Sequence, residues 1–240
     1  MQPSKTVATT LAERLQAVEQ RIARACQLAG RRRDEVTLLA VTKIFPASAI
    51  LDAYALGLHE FGENYVQEFE AKSPLVSELD GVHFHLIGHL QSNKSRKAAE
   101  LFHTIQTVDD AKLARRLAEC GKPLDVMIEA SPKPLDVFIE VKLSEEQSKH
   151  GCAPRDLSAL AAAIRALPSL TLRGLMTMPP WSEDAETARP YFQKLRALAG
   201  EIGVSELSMG MSNDLEVAIE EGSTMVRVGT ALFGKRVRPV

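Results

Sequence analysis

Cysteine is scarce in this sequence, charge of one sign is not in excess, and long apolar runs are missing. Only three cysteines occur in 240 residues, Cys26, Cys120 and Cys152. They are odd in number and widely spaced, so they give neither a disulfide framework nor a metal-ligand spacing, and they point to a reducing cytoplasm. Lysine and arginine number 29 against 31 for aspartate and glutamate, a net charge of −2. That balance argues against nucleic acid or an anionic membrane as the main partner. No apolar run is long enough to span a bilayer. The start, Met1-Gln2-Pro3-Ser4-Lys5, leads into an amphipathic charged segment, so no signal peptide is expected.

What is present is ordinary globular material, 45% hydrophobic and 25% charged, in a length that suits one α/β barrel. The chain is organised around Thr37-Leu38-Leu39-Ala40-Val41-Thr42-Lys43. An apolar, β-branched run of this kind suits a strand buried on both faces. Pro46, Ser48 and the apolar residues behind them read as a helix start, which places Lys43 where a parallel strand hands over to its helix. Ligands bind at that edge in parallel α/β folds. A partly desolvated lysine there can condense with a carbonyl to form a Schiff base.

Helical spacing marks a leading helix within about residues 8–30, closed by Gly30 and by Arg31-Arg32-Arg33, which reads as a solvated helix terminus rather than a phosphate patch. Strand and helix then alternate. Strands are expected around 37–43, 59–64, 81–88 and 103–108, with helices over 47–56, from Gln67 to Leu79, and from Arg96 to Leu101. Asp109 is expected to cap the helix through Leu117. Lys122-Pro123-Leu124-Asp125-Val126-Met127-Ile128-Glu129 is nearly repeated at Lys133-Pro134-Leu135-Asp136-Val137-Phe138-Ile139-Glu140. The second copy reads as strand five, and about 122–133 as an inserted duplication, either an edge strand or an arm. Strands six to eight are expected at 170–177, 205–210 and 224–233. Eight such units predict a single (β/α)8 TIM barrel over 1–240, with no room for a second domain.

In such barrels a phosphate lies by the loops after strands seven and eight. Ser212 and the first amides of a helix stand after strand seven; Gly229 and Thr230 stand after strand eight, with Arg227 two residues earlier. With Lys43 they describe a pocket for a phosphorylated carbonyl compound. His83-x-His85, with His89 close behind, suggests a metal hydrolase instead. Those enzymes need a carboxylate at the end of strand eight, where this chain has Val-Gly-Thr, so no metal is expected.

Ala40-Val41-Thr42-Lys43, Phe61-Gly62-Glu63-Asn64-Tyr65-Val66-Gln67-Glu68, His85-Leu86-Ile87-Gly88-His89-Leu90-Gln91-Ser92-Asn93-Lys94, Ser148-Lys149-His150-Gly151, Gly174-Leu175-Met176-Thr177-Met178, Met209-Gly210-Met211-Ser212-Asn213-Asp214 and Val226 to Gly234 follow one another in order. In these seven motifs, over roughly residues 10–236, the sequence resembles the pyridoxal phosphate homeostasis protein family, the YggS/PROSC group. The resemblance implies an alanine-racemase-type barrel without the C-terminal β domain, and pyridoxal 5′-phosphate (PLP) as cofactor. It implies that Lys43 holds PLP as a Schiff base, that Ser212, Gly229 and Thr230 bind its phosphate, and that Arg227 faces the pyridine nitrogen. Asn64 and Met176 are implied near the ring. The duplicated segment departs from the family pattern, and so does Lys142, which stands where members usually carry asparagine.

An arginine at the pyridine nitrogen weakens the cofactor as an electron sink. Racemase relatives also use a second base, a tyrosine from a partner subunit's β-rich domain. Of Tyr54, Tyr65 and Tyr191 here, Tyr65 stands near the site in sequence, but a tyrosine at a helix start more often packs or caps than catalyses. The expectation is therefore storage and supply of PLP in the cytoplasm, with little or no turnover and a monomeric state. Apo PLP-dependent enzymes are candidate recipients. A single-domain PLP-dependent amino-acid racemase is the alternative.

Overall fold

A computed structural model of the chain describes residues 9–120, 134–144, 146 and 150–234. The segment read as an inserted duplication, about 122–133, lies outside the described residues, as do Ser148 and Lys149.

Eight parallel strands close into one barrel in sequence order. They are β1 (Thr37–Val41), β2 (Glu60–Glu63), β3 (His83–Leu86), β4 (Thr104–Val108), β5 (Leu135–Glu140), β6 (Leu170–Met176), β7 (Glu206–Met211) and β8 (Met225–Val228). Around them run α1 (Leu11–Leu28), α2 (Ala47–Ala55), α3 (Val66–Lys72), α4 (Ser95–Leu101), α5 (Ala111–Glu119), α6 (Leu157–Arg165), α7 (Arg189–Ile202), α8 (Leu215–Glu220) and α9 (Thr230–Phe233). The main core fills the space between strands and helices, with Ile22, Phe61, Phe69, Leu117, Ile164 and Phe192 fully buried. A second, small apolar cluster of Leu39, Val41, Ile87 and Met225 lies inside the barrel. Gly62 makes room for it: a Cβ there would come within 3.0 Å of Leu39 and 3.1 Å of Ile87.

Helix α1 is started by Thr10, whose hydroxyl accepts from the Glu13 N–H while the Glu13 carboxylate accepts from the Thr10 N–H. It packs along α8 and α9. The arginine triplet behaves as structure rather than as a phosphate patch. Arg31 donates to the carbonyls of Ile219 and Ser223, Arg33 pairs with Glu19, and Arg32 pairs with Asp34.

Several boundaries differ from those expected. The helix expected from Gln67 to Leu79 stops at Lys72 and tightens into a 3-10 turn, Ser73–Leu75, because Pro74 has no N–H to continue the ladder. Strand eight ends at Val228, and Thr230–Phe233 turns into a short helix. Asp109 does not cap α5. Asp110 does so, accepting from the Leu113 N–H at 2.6 Å, which leaves Asp109 at the barrel mouth. Among the described residues no helix is long and apolar enough to cross a membrane.

Candidate functional site

Lys43 lies in the turn two residues past the end of β1, whose Leu39 and Val41 face the barrel interior. The backbone on both sides of it is clamped by a buried ionic cluster. Lys72, 7% exposed at the end of α3, donates to the Thr42 carbonyl at 3.0 Å, to Glu63 Oε1 at 2.8 Å and to Glu68 Oε1 at 2.6 Å. The Thr42 hydroxyl donates to the same Glu63 oxygen at 2.8 Å, and the Ile44 N–H donates to Glu68 Oε1. Ile44 sits at φ 70°, a left-handed conformation that a β-branched residue adopts only against steric resistance. Burial pushes the Glu63 carboxyl above the usual range, with Lys72 and Thr42 working against that rise. The cluster holds the peptide groups before and after Lys43, so the lysine is presented from a fixed backbone.

Across the β1–β8 seam, Arg227 is in register with Leu39 and points inward. It is 4% exposed and donates to the Ser208 carbonyl at 2.6 Å, the Ser208 hydroxyl at 2.8 Å and the Thr177 carbonyl at 2.9 Å. Burial lowers its pKa to about 10, while the charges of Asp214 and Glu140 oppose the shift, so it remains a cation at neutral pH. All three of these acceptors are neutral.

A chain of hydrogen bonds continues from Arg227 through the barrel. The Ser208 hydroxyl donates to Gln106 Oε1 at 2.6 Å, Gln106 Nε2 lies 2.9 Å from His85 Nδ1, and His85 Nε2 lies 2.6 Å from Glu60 Oε2. With the amide nitrogen as donor, the network assigns His85 as acceptor at Nδ1 and donor at Nε2. Every link then donates in one direction, from the arginine toward Glu60. His83 reaches the other oxygen of Glu60 at 3.1 Å. His83 and His85 therefore share one carboxylate at the N-terminal end of the barrel, away from the mouth.

Burial raises the Glu60 carboxyl, but His85 and then His83 outweigh it and hold the group below its ordinary 4.5. A lowered folded value means stability present above 4.5 and lost as pH falls through that lower value. Glu60→Gln is expected to flatten the acid limb of the stability–pH curve, read by urea melts between about pH 3 and 7.

The loops after β7 and β8 are joined to each other and to α1. The Ser212 hydroxyl accepts from the Ala231 N–H at 3.3 Å, and the Met211 N–H donates to Asp214 at 2.6 Å. Arg21 of α1 donates to the Ser212 carbonyl at 3.0 Å and grips Glu216 at 2.6 and 2.7 Å, while Arg14 donates to the Leu232 carbonyl. At Gly229 a Cβ would lie 3.4 Å from Val41, so this loop rests on the strand that leads to Lys43.

Lys43, Arg227, Ser212, Gly229 and Thr230 thus share the sector formed by β7, β8 and β1. Met176 ends β6, is fully buried and is in register with Ser208, so it faces the same interior. Asn64 follows β2 next door. Its carbonyl lies so close to Gly88 that a Cβ there would come within 2.2 Å of it, and only glycine fits. Sequence reasoning overlooked Thr42, Glu63, Glu68 and Lys72. Only Glu68 and Lys72, one helical turn apart, carry a local signal. It also overlooked Ser208, Gln106 and Thr177, which hold Arg227, and Arg21, which supports the Ser212 loop.

This donor set fits pyridoxal phosphate: an amine for the aldehyde, hydroxyl and backbone groups for the phosphate, and a buried cation with neutral partners for the ring nitrogen. Fold and mouth together define a parallel (β/α)8 barrel with a lysine and a buried arginine at the junction of its first and last strands.

The chain matches the family described as alanine racemase, N-terminal domain, over residues 14–237. It is 47% identical over 230 residues to the pyridoxal phosphate homeostasis protein of Pseudomonas aeruginosa, covering 95% of this chain and 96% of that one. With the protein of the same name from Escherichia coli K12 it shares 44% identity, over 94% and 97% of the two chains. Among solved structures, PipY of Synechococcus elongatus PCC7942 with PLP bound is 37% identical, with a TM-score of 0.80 over 94% of this chain and 100% of PipY. An alanine racemase from Corynebacterium glutamicum shares the fold alone: 17% identity and a TM-score of 0.62, with 60% of that enzyme covered. The chain belongs to the pyridoxal phosphate homeostasis proteins, within the alanine racemase N-terminal domain family.

Proposed function

We propose that this chain binds PLP covalently through Lys43 and serves in the storage and supply of the cofactor in the cytoplasm, with little or no turnover. The observation that carries the reading is the register of β1 with β8, which sets a clamped lysine and a buried arginine at one mouth. Bound PLP supplies an electrophilic aldehyde and a ring that can accept electrons. Ser212, Gly229 and Thr230 hold the phosphate in this reading, Arg227 holds the ring nitrogen, and Asn64 and Met176 border the ring.

An arginine keeps its own proton and presents only donors, so facing the ring nitrogen it would keep that nitrogen unprotonated and the electron sink weak. Racemisation also needs an acid–base group opposite the lysine. Tyr54 donates to the Asp80 carbonyl, and Tyr65 is 58% exposed at the rim. Neither is held against the mouth interior. Delivery to apo-enzymes and a monomeric state complete the reading.

Borohydride reduction of the purified protein followed by peptide mass mapping tests it. A pyridoxyl mass on Lys43, together with negligible amino-acid racemisation, is the expected result. Modification elsewhere would overturn the assignment of Lys43. Steady racemisation lost in Lys43→Ala would establish the racemase reading.

A further inference from the structure

A second cluster stands at the same end of the barrel, in the sector of β3, β4 and β5, and the cofactor reading uses none of it. His89 follows β3, Asp109 follows β4 and His150 precedes α6, and the ligand atoms of the three lie within 4.8 Å of one another. His89 Nδ1 and Asp109 Oδ2 are 3.9 Å apart, too far for a hydrogen bond. The two imidazoles stack with centroids 3.6 Å apart and 11° between their planes.

We propose that His89, Asp109 and His150 form a binding site for a late first-row divalent cation, with zinc the best match. Two borderline imidazole nitrogens with one hard carboxylate oxygen suit zinc and its neighbours rather than magnesium or calcium, which favour all-oxygen sites. Three protein ligands leave a coordination position open to water or an anion. Atoms each about 2.0–2.1 Å from a tetrahedral zinc lie about 3.3 Å apart, so the site closes with small side-chain movements. Stacked rings hold their nitrogen lone pairs in nearly parallel planes, so one ring has to turn for both to face a single ion. His89 has room to turn, with its side chain 39% exposed, and His150 is exposed as well.

The backbone near each of the three ligands is tied by hydrogen bonds. The Thr107 hydroxyl donates to the Gly88 carbonyl at 2.8 Å, tying the residue before His89 to the strand end before Asp109. Beyond His150, the Cys152 N–H donates to the Glu140 carbonyl at 2.7 Å and the Lys142 N–H donates to the Cys152 carbonyl at 3.0 Å. Gly151, at φ 125°, permits that approach, since a Cβ there would come within 2.8 Å of the Lys142 nitrogen.

The test is a zinc sulfate titration of the cofactor-loaded protein against a chromophoric chelator, with magnesium chloride in parallel. One equivalent of zinc is expected to bind. His89→Ala and His150→Ala should each lower its affinity at least about 100-fold, beyond the loss expected for an outer partner of a ligand. Cofactor absorbance should stay unchanged in both variants, which also shows that they fold and separates this site from the Lys43 site. If a variant loses that absorbance, X-ray absorption of zinc bound to the unaltered protein decides by its imidazole scattering. Absence of zinc binding, retention of affinity in both variants, a sulfur shell, or magnesium binding as tight as zinc overturns the proposal.

Discussion

Lys43→Ala should yield a colourless protein that folds normally and retains no cofactor through gel filtration. Loss of the covalent link leaves only phosphate and ring contacts, and the apparent affinity for PLP should fall by about 100-fold or more, near 2.7 kcal/mol. Lys43 lies at the mouth rather than in the packed core. The stability of the cofactor-free protein should therefore change by less than about 1 kcal/mol. Lys43→Arg keeps the charge but cannot condense with an aldehyde, so it should be equally colourless. Visible absorbance, equilibrium dialysis with PLP and urea melts of the cofactor-free proteins check the three statements. A variant that remains yellow, with PLP reducible onto another lysine, contradicts the site.

The largest effect on stability is expected from a different lysine. Lys72→Met removes the only cation hydrogen-bonded to Glu63 among the described residues, and Glu63 is fully buried. Removing one partner of a buried ion pair typically costs about 3–5 kcal/mol, because the other charge is left in a poor solvent. The loss should depend on pH in a defined sense. Burial already raises Glu63, and without Lys72 nothing of comparable strength opposes that rise. A folded value above the unfolded one means stability that is intact below the unfolded value near 4.5 and falls as pH climbs past it. The deficit of Lys72→Met should accordingly be small near pH 4 and large near pH 8. Adding Glu63→Gln should recover much of it at pH 8. Cofactor retention should weaken as well, since Lys72 holds the Thr42 carbonyl directly before Lys43. Urea melts at the two pH values, with PLP dialysis alongside, measure both effects. A deficit independent of pH would falsify the assignment to Glu63.

Much of the architecture was legible because barrel strands buried on both faces show up as short apolar runs between helix signals. The place of Lys43 just past the end of β1 was legible for the same reason, since a lysine closing such a run stands out. The polar interior was not. Gln106 lies inside Thr-Ile-Gln-Thr-Val and Ser208 inside Leu-Ser-Met, where one polar residue in a strand resembles an ordinary outward-facing position. Only the barrel's closure places both beside His85 and Arg227. The helix cap at Asp110 rather than Asp109 turned on one residue of register, which local preference does not resolve because both are aspartates. Lys72 read as an ordinary helix lysine, and its burial depends on Glu63 and Thr42, which arrive from two separate strands. The histidines at 83 and 85 drew notice through their spacing. His150 escaped because its partners are 61 and 41 positions earlier in the chain.

Leu39 and Arg227 are neighbours across the β1–β8 seam although 188 positions separate them in the chain. On the proposed assignment, the cofactor would thus be held by residues made far apart in the order of synthesis. While β8 is still unmade, β1 has a bare edge and the mouth has no Arg227, no Gly229 and no Arg14 contact from α1 to Leu232. A growing chain that already carries Lys43 would accordingly still lack Arg227, Gly229 and Thr230, and on the proposed assignment it should retain PLP only weakly. Stable yellow colour would serve as a sign that the ring of strands has closed, and a partly synthesised or misclosed molecule would draw little from the cell's supply.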